Sequence, residues 1–392
     1  MSGMSFLEKL LDGAAVEWKP LGDVGQVRMC KRILKSQTSS EGDIPFYKIG
    51  TFGKEPDAYI SKSLFEEYKS KYSYPKIGEI LISASGTIGR TVIFDGEDSY
   101  FQDSNIIWIE NNESVVLNKF LFYFYQIANW GISVGGTIQR LYNDNLRKLS
   151  IPIPCPDNPD RSLAIQSEIV RILDTFTELT TELTTELTTE LTLRQKQYEY
   201  YRDRLLTFEE GEAEWKALGE VVKIQRGRRL VKSELEEVGR YAVFQNCMTP
   251  LGYYHESNVK SDTTFIISGG AAGEIGYSNV DFWAADDVYY FLTPKNLKSK
   301  FLYYFLLTQQ TKILGQVRRA SVPRLSKAAF EKIPIPLPPL EEQARIVAIL
   351  DKFDTITNSI SEGLPREIAL RQKQYEDYRD LLLSFPPPLT PP

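Results

Sequence analysis

The stretch "TELTTELTTELTTELT", residues 177–192, repeats one four-residue unit four times within a chain of 392 residues. Around it, residues 163–208 contain neither proline nor glycine. Apolar side chains recur there at the spacing of one helical face, which predicts an α-helix. At 1.5 Å per residue, 46 residues would span about 69 Å, far more than a typical globular helix. The apolar row of the repeat consists of Leu179, Leu183, Leu187 and Leu191.

The sequence on either side of this stretch occurs twice. "IVRILDTF" at Ile169 returns as "IVAILDKF" at Ile346, and "LRQKQYEYYRD" at Leu193 returns as "LRQKQYEDYRD" at Leu370, both 177 positions later. "VEWKPLGDVGQV" and "AEWKALGEVVKI" open the two copies, and each copy later contains "IPIP". An eleven-residue match with one difference is too long for chance, so the chain is an internal duplication.

Each copy predicts the same order of elements. Short β-like runs and glycine-rich turns come first, then a short aromatic helix, an "IPIP" strand confined to a sheet edge, and a long helix. The expected fold class is α+β, with two similar globular domains separated by two long antiparallel helices related by a pseudo-two-fold axis. The expected boundaries are 1–155, 156–210 for the first long helix, 211–338, 339–385 for the second, and a disordered tail at 386–392.

The repeat is half threonine, and β-branched threonine is a weak helix former. We therefore expect the duplicated helix to support it. "EGLPRE" interrupts that second helix, and Gly363 with Pro365 predicts a kink. The segment "YRDLLLSF" should lie near the start of the chain, because "FLEKLLDGAAVEW" resembles the junction "RLLTFEEGEAEW". The pseudo-two-fold predicts four contacts: Leu179 with Ile368, Leu183 with Leu364, Leu187 with Ile360, and Leu191 with Ile356.

The net charge of −6 is unevenly distributed. Residues 156–210 hold 6 Lys+Arg against 12 Asp+Glu, and residues 339–392 hold 6 against 9. Residues 15–155 are balanced at 16 each, whereas residues 211–338 hold 17 basic and 13 acidic side chains. Because charges farther apart than roughly 8 Å are screened, the globular segments can still attract phosphate locally.

The sequence contains none of the catalytic or metal-binding motifs that we searched for. Cys30, Cys155 and Cys247 are far apart, which argues for a reducing cytoplasm and against a disulfide framework or zinc site. His255 is the only histidine and is expected to be structural or exposed. "SGGAAGEIG" lacks the lysine of a phosphate-binding loop and is expected to be a turn. The chain also lacks a nucleophile elbow and the NPPY or DPPY motif of an adenine methyltransferase, and no apolar run is long enough for a membrane span.

Binding residues are better represented. Arginine can contact guanine O6 and N7, and glutamine can contact adenine, whereas lysine mostly meets phosphate. Clusters of these residues follow the opening of each copy and precede each "IPIP" strand, although an ordinary solvated surface would also contain some of them. The DNA-binding candidates of the second copy are Arg226, Arg228, Arg229, Arg318, Arg319 and Arg324. Those of the first are Arg28, Lys31, Arg32, Lys35, Gln139 and Arg140.

The chain resembles the specificity subunit of type I restriction–modification systems. The resemblance is carried by the doubled "EWK.LG.V" openings, the doubled "IPIP" strands, the doubled "LRQKQYE.YRD" helices and the "TELT" array. The resemblance covers nearly the whole chain. It implies two target-recognition domains, each reading one half of a bipartite site in double-stranded DNA. It also implies that the helices set the gap and bind two methylation subunits, which restriction subunits join to translocate and cut.

In that family this chain would be non-catalytic and bind no cofactor itself, since S-adenosylmethionine, ATP and Mg belong to the partner subunits. The acidic balance is a departure, and it falls mainly in the helices. Two alternatives stay open: a structural coiled-coil adaptor that binds only proteins, and a self-sufficient methyltransferase. The doubled basic clusters favour DNA over the adaptor, and the missing motif weakens the methyltransferase.

Overall fold

The computed structural model describes residues 6–131, 139–319, 321–359 and 362–387. The chain forms two compact units, one of residues 1–184 with 370–392 and the other of residues 185–369. In the described residues, no helix is long and apolar enough to cross a membrane. The helix α6, Pro159–Leu205, contributes to both units.

The first unit contains two small sheets and a strand pair. Its four-stranded sheet has the order β2-β8-β5-β6, and its three-stranded sheet has the order β4-β3-β7. The pair β1-β9 stands apart from both. The strands are β1 Val16–Pro20, β2 Gly25–Arg28, β3 Ile44–Tyr47, β4 Tyr59–Ile60, β5 Ile80–Ser83, β6 Thr91–Ile93, β7 Tyr100–Phe101, β8 Ile106–Asn111 and β9 Ser150–Pro154. The helices before α6 are α1 Phe6–Leu11, α2 Leu21–Val24, α3 Lys62–Lys71, α4 Asn118–Ile127 and α5 Asn143–Lys148.

The second unit repeats this plan. Its sheets have the orders β11-β17-β14-β15 and β13-β12-β16, and β10 pairs with β18. The strands are β10 Glu214–Ala217, β11 Lys223–Arg226, β12 Tyr241–Phe244, β13 Gly252–Tyr254, β14 Thr263–Ile267, β15 Ile275–Ser278, β16 Trp283–Ala284, β17 Val288–Leu292 and β18 Pro334–Leu337. The helices are α7 Leu218–Val221, α8 Ser299–Thr308, α9 Gln310–Leu314, α10 Leu340–Asn358 and α11 Gly363–Leu382, the last of which extends into the first unit.

The proline-punctuated strands lie where their sequence predicts. Among the strands of the described residues, β9 pairs only with β1, and β18 only with β10. Each is half of a two-stranded pair, so the residues that lack an N–H group do not interrupt the ladder of a larger sheet. The predicted order of aromatic helix, edge strand and long helix is confirmed in both units.

A buried glutamine joins each globular part to its long helix. Gln166 accepts a hydrogen bond from the amide of Leu117 (2.9 Å) and donates to the carbonyl of Val115 (3.0 Å). In the second unit, Gln343 accepts from the amide of Lys298 (2.8 Å) and donates to the carbonyl of Asn296 (2.9 Å). Both glutamines are fully buried. An unpaired amide would be costly there, so each glutamine fixes the helix against the loop before α4 or α8.

Threonine hydroxyls bond along the helix in the repeat. Thr184 donates to the carbonyl of Thr180 (2.8 Å), and Thr189 donates to that of Thr185 (2.9 Å). These bonds give the two hydroxyls acceptors within the helix itself. Correspondingly, Leu183, Leu187 and Leu191 are only half-buried, and Leu179 is 56% exposed.

The helices of the first unit run antiparallel, as expected. Phe176 stacks on Tyr378 with ring centroids 5.2 Å apart, and the Thr177 hydroxyl is 3.1 Å from that of Tyr375. Leu179 and Leu183 line a groove with residues 371–378 of α11. The sequence placed these leucines opposite Ile368 and Leu364, but the groove lies a turn or more farther along α11, because aromatic stacking sets the register.

The other two predicted contacts stay predictions. Ile360 lies outside the described residues, so its contact with Leu187 stays a prediction. Leu191 is half-buried and Ile356 is 40% exposed, and their contact also stays a prediction.

The predicted interruption of the second helix is confirmed. α10 ends at Asn358, and α11 begins at Gly363 with a left-handed φ of +77°. A Cβ atom at this glycine would lie 2.4 Å from the carbonyl oxygen of Thr355. Pro365 falls in the first turn of α11, where its missing N–H is tolerated.

The two ends of the chain share the core of the first unit. Leu7 and Leu11 of α1 are buried in the same cluster as Leu382, Leu383 and Phe385. This confirms the predicted proximity. The expected tail begins at Pro386, yet the indole Nε1 of Trp18 donates to the Pro386 carbonyl at 2.7 Å. Residues 388–392 of that tail lie outside the described residues.

Candidate DNA-binding surface

The basic residues of the second unit gather around the loop between β16 and β17. Arg226 ends β11, and its Nε donates to the carbonyl of Asp286 at 2.6 Å. The Arg228 amide donates to the carbonyl of Ala284 at 2.9 Å, while the Trp283 indole donates to the Arg228 carbonyl at 3.0 Å. These bonds fix the chain that leaves β11, and the side chains of Arg226, Arg228 and Arg229 remain exposed.

Gly227 explains why a glycine separates these arginines. A Cβ atom there would lie 2.2 Å from the carbonyl oxygen of Ala285 and 2.3 Å from that of Ala284. Real Cβ atoms do not approach a carbonyl this closely, so only glycine lets the two backbone segments meet. Any larger residue would push Arg226 and Arg228 away from the loop.

A second arginine-bearing segment reaches the same place. Arg318 and Arg324 form an antiparallel bridge, with amide–carbonyl distances of 2.9 and 3.1 Å. Arg324 also bridges Gly269 of the glycine-rich turn, and its guanidinium donates to the carboxylate of Asp287. The structure therefore brings Arg226, Arg228, Arg318 and Arg324 together around residues 284–287. Arg229 follows Arg228 in the sequence, Arg319 follows Arg318, and both side chains are exposed.

The first unit repeats one part of this surface closely. Arg140 bridges Ser85, as Arg324 bridges Gly269. The next residue donates its amide to the turn in both units, Leu141 to Ala84 (2.8 Å) and Leu325 to Ser268 (2.9 Å). Arg140 and Arg324 are thus structural counterparts, as the sequence placed them, and Gln139 is exposed beside Arg140.

Arg28 is held differently from Arg226. Its Nε donates to Glu110 at 2.8 Å, and Lys76 binds the same carboxylate at 3.0 Å. Hydrogen bonds from Lys76 and Arg28 lower the pKa of Glu110. Two cations thus already share this anion, so Arg28 is less available to a phosphate or a base than Arg226 is.

The remaining basic candidates of the first unit are exposed. The ammonium of Lys31 lies 5.2 Å from the centre of the Tyr72 ring, within cation–π range. Arg32 and Lys35 lie on the segment that follows, and Lys35 begins a short 3₁₀ turn. The first unit therefore presents these cations from one loop after β2.

The residues that face the arginines were missed by sequence reasoning. The sequence "SGGAAGEIG" predicts only a turn, and the turn is confirmed. In both units it contains two left-handed glycines, Gly86 with Gly89 and Gly270 with Gly273. The spacing GxxG occurs in both copies, and it is the sequence signal that the two turns are structurally equivalent.

His255 and the acidic residues form no candidate centre. The His255 Nδ1 lies 3.7 Å from Glu236, and the side chain is exposed. In residues 6–131, 139–319, 321–359 and 362–387, no group of three or more His, Cys, Asp or Glu side chains could hold a metal ion.

Comparison with known sequences adds the deciding observation. The family described as the type I restriction modification DNA specificity domain matches this chain twice, at residues 15–193 and 211–370. The chain belongs to this family. Each match begins just before the strand that pairs with "IPIP" and ends within a long helix, so the family repeat coincides with the internal duplication.

Curated members of the specificity family resemble this chain over different lengths. The EcoR124I/EcoR124II specificity subunit of Escherichia coli is 36% identical over 417 residues, covering 100% of this chain and 99% of that protein. The EcoprrI specificity subunit of Escherichia coli is 35% identical and covers 92% and 93%. A putative specificity subunit of Haemophilus influenzae is 68% identical over 188 residues, only 48% of this chain and 47% of its own.

Solved structures of the family share the fold. The S subunit from M. genitalium is 19% identical with a TM-score of 0.52, covering 99% of this chain and 100% of its own. A chain from work on complex assembly and conformational transition of the type I restriction–modification system is 17% identical with a TM-score of 0.63. That match covers 94% of this chain and 97% of the other. At these identities the likeness concerns the fold alone.

Proposed function

We propose that this specificity subunit reads a bipartite site in double-stranded DNA, with one half-site read by each globular domain. The observation that carries the proposal is the duplicated bridge. In each unit an exposed or half-exposed arginine, Arg140 or Arg324, crosses the same glycine-rich turn at the same position. A duplicated reader for two half-sites needs an equivalent base-reading element in each copy, and arginine is the commonest such side chain.

The basic residues would fall into two groups, those that read bases and those that contact phosphates. Arginines whose guanidinium is oriented by the protein can make bidentate contacts to guanine, whereas mobile cations mainly meet phosphates. Arg324 and Arg226 are held by hydrogen bonds to Asp287 and Asp286, so they are the proposed base readers of the second domain. Arg228, Arg229, Arg318 and Arg319 are the proposed phosphate contacts. Lys31, Arg32 and Lys35 would serve the first domain in that way.

The helices would provide the spacing and the protein contacts. The four tetrads leave much of α6 exposed, including Leu179. A partly exposed leucine row on an acidic helix fits a protein partner better than DNA. We assign this face to two methylation subunits, with restriction subunits joining the assembly. The expected location is the cytoplasm, where chromosomal DNA is accessible.

The chain would carry no catalytic centre of its own. The proposal assigns S-adenosylmethionine, ATP and Mg to the partner subunits. The sequence supports this assignment because it lacks the base-gripping motif of adenine methyltransferases. Isothermal titration of the isolated chain with S-adenosylmethionine should give no binding heat, and a measurable affinity would contradict the assignment.

The test replaces all six basic side chains of the second domain by alanine: Arg226, Arg228, Arg229, Arg318, Arg319 and Arg324. The variant is assembled with its methylation subunits, and its DNA affinity is measured against salt concentration. We expect lost recognition of one half-site and a smaller salt dependence, because fewer phosphates are neutralised. Unchanged affinity would overturn the surface and favour the protein-only adaptor.

A matched control separates position from charge. Lys295 and Lys332 are exposed on other segments of the same unit. The pair Lys295→Ala with Lys332→Ala removes as much charge as Arg226→Ala with Arg324→Ala. Only the arginine pair should relax the sequence preference at the second half-site. Equal relaxation by both pairs would mean that net charge, and not this surface, explains binding.

A further inference from the structure

The duplicated bridges differ in the two side chains that face the arginine. The backbone frames match, because Ser268 donates to the carbonyl of Asp287 (2.6 Å) where Ala84 donates to that of Asn105 (2.8 Å). Asp287 in the second domain therefore stands where Asn105 stands in the first. Likewise, the bridge partner of the arginine is Gly269 in one domain and Ser85 in the other.

In the second domain these differences create an ion pair. The Arg324 guanidinium donates to the carboxylate of Asp287, whose side chain is 13% exposed, whereas that of Arg324 is 53% exposed. A Cβ atom at Gly269 would lie 2.5 Å from Nη1 of Arg324 and 2.7 Å from Cγ of Asp287. The glycine thus leaves the space that the pair occupies. One part of the guanidinium is fixed, and the rest faces solvent.

In the first domain the same place is neutral. The Ser85 hydroxyl lies 2.9 Å from Oδ1 of Asn105, so these two side chains engage each other. Arg140 instead donates from Nη2 to the carbonyl of Ser104 at 3.0 Å. No carboxylate compensates its charge in these contacts. The two bridges therefore present one arginine with a carboxylate partner and one without.

We propose that Asp287 is a positioning residue that orients Arg324 toward a guanine in the second half-site, and that Gly269 leaves the room this pair needs. The proposal rests on the proposed DNA-reading function. A bidentate contact to guanine requires a fixed guanidinium plane, and a carboxylate on part of that group supplies it. The carboxylate also offsets the arginine charge, which weakens nonspecific attraction to phosphate. Arg140, without this partner, would discriminate between bases less sharply.

The test is a double-mutant cycle in the full chain assembled with its methylation subunits. The variants are Arg324→Ala, Asp287→Asn and both together, and bound duplexes are selected from a pool with randomised half-sites. Dissociation constants are then measured against salt concentration. Asp281→Asn is the control, because it removes a carboxylate of the same unit that pairs with the exposed Lys260.

We expect Arg324→Ala to reduce discrimination at one base pair of the second half-site by about 5- to 150-fold. Asp287→Asn should relax the same base pair while making nonspecific binding more salt-dependent, because a cation is released. In the double variant, Asp287→Asn should add nothing to discrimination, since it acts through Arg324. The first half-site should be unchanged throughout, and Asp281→Asn should leave both preferences unchanged.

The outcomes separate the two proposals. If Arg324→Ala alters recognition but Asp287→Asn does not, the positioning role is wrong and the DNA-reading function stands. If neither changes DNA binding, the proposed surface is wrong at this bridge. Should Asp287→Asn fail to fold, Gly269→Ser with Asp287→Asn gives the second bridge the pair found in the first domain. This variant must show the same relaxation, and unaltered discrimination in it would overturn the positioning role.

Discussion

Cys30 is buried in a core cluster of the first domain and is only 2% exposed. Burial raises the pKa of its thiol to about 12, from an ordinary value of 9.0. Between these values the unfolded chain gives up the thiol proton and the folded chain keeps it. Raising the pH through this window therefore favours unfolding, and the stabilising effect is complete only below about pH 9.

Replacing Cys30 by alanine should remove this dependence. Between pH 9 and 12, the free energy of unfolding of the wild-type chain should fall more steeply than that of Cys30→Ala, by up to about 1.4 kcal/mol per pH unit. Urea unfolding at several pH values measures the difference. Cys247→Ala, which removes a thiol that is not buried, is the control and should follow the wild-type slope. Parallel slopes for Cys30→Ala and wild type would contradict the expectation.

Side-chain partners were the part of the site that sequence could not supply. Arg28 was selected together with Arg226 because both follow the opening of their copy. The difference between them is Glu110, 82 positions away from Arg28 in the sequence. Asp287 is 37 positions from Arg324. Such pairs are set by strand register and loop packing, so local spacing identifies the arginines but not what holds them.

At the scale of elements, local backbone rules were sufficient. Proline in "IPIP" predicts edge pairing, and glycine with proline in "EGLPRE" predicts a kink at the place where α10 ends and α11 begins. Both follow from φ restrictions and missing donors, which act within a few residues. The sequence misplaces the register of α6 against α11 by a turn or more, because the leucine row alone does not reveal that Phe176 stacks on Tyr378.

Gly363 should be sensitive to substitution. Its φ of +77° disfavours any side chain, and a Cβ atom would also contact the carbonyl oxygens of Thr355 and Ile356. Gly363→Ala should therefore destabilise the second unit by more than about 1 kcal/mol. Gly211→Ala is a matched control, because its φ is +92° but nothing lies within 4 Å. Thermal unfolding should rank Gly363→Ala below Gly211→Ala, and equal losses would refute the steric argument.

Deleting one tetrad, residues 181–184, should change the DNA gap. Four residues remove roughly 6 Å of helix and turn the face by only ~40°. The gap between half-sites should shorten by one or two base pairs at about 3.4 Å each, while both half-sites stay the same. Mapping methylated adenines in cells that carry the deletion measures this. Methylation at the original spacing, or altered half-sites, would count against the spacer role.

A one-residue deletion is the control for the tetrad. Removing Thr185 alone turns the following leucines by ~100° relative to those before it. All side chains after the deletion, including Leu187 and Leu191, would then be rotated out of their present direction relative to the part of the helix before it, so assembly with methylation subunits should fail. Size-exclusion chromatography of the mixed subunits tests this. Normal assembly would mean that the leucine row does not form the contact.

At the scale of the whole molecule, the internal duplication can be detected in the sequence because the repeated segments occur in the same order in both copies. It predicted two similar units, the repeated element order and the proximity of the chain ends. What it could not give was the division of the chain into residues 1–184 with 370–392 and residues 185–369. That division depends on which hydrophobic core the side chains of each part of α6 and α11 pack against.

The segment after residue 370 should therefore matter only to the first unit. Leu383 is 2% and Phe385 is 6% exposed in the core that also contains Leu7. Phe385→Ala should cost about 3–5 kcal/mol, mainly in that unit. Hydrogen exchange resolved along the sequence should show faster exchange in residues 6–131 and unchanged protection in residues 214–337. Equal loss in both units would contradict this assignment.

The same arrangement governs the order in which the protein can be completed on the ribosome. Domains made first usually fold first. Here the first unit lacks Leu382, Leu383 and Phe385 until nearly all of the described chain has been translated, whereas every residue of the second unit has been made by residue 369. The domain synthesised second is thus complete first. In a nascent chain stalled at residue 369, the apolar side chains of α1 that pack against Leu382, Leu383 and Phe385 would be exposed. A chaperone could bind this apolar surface until residues 370–385 have been translated.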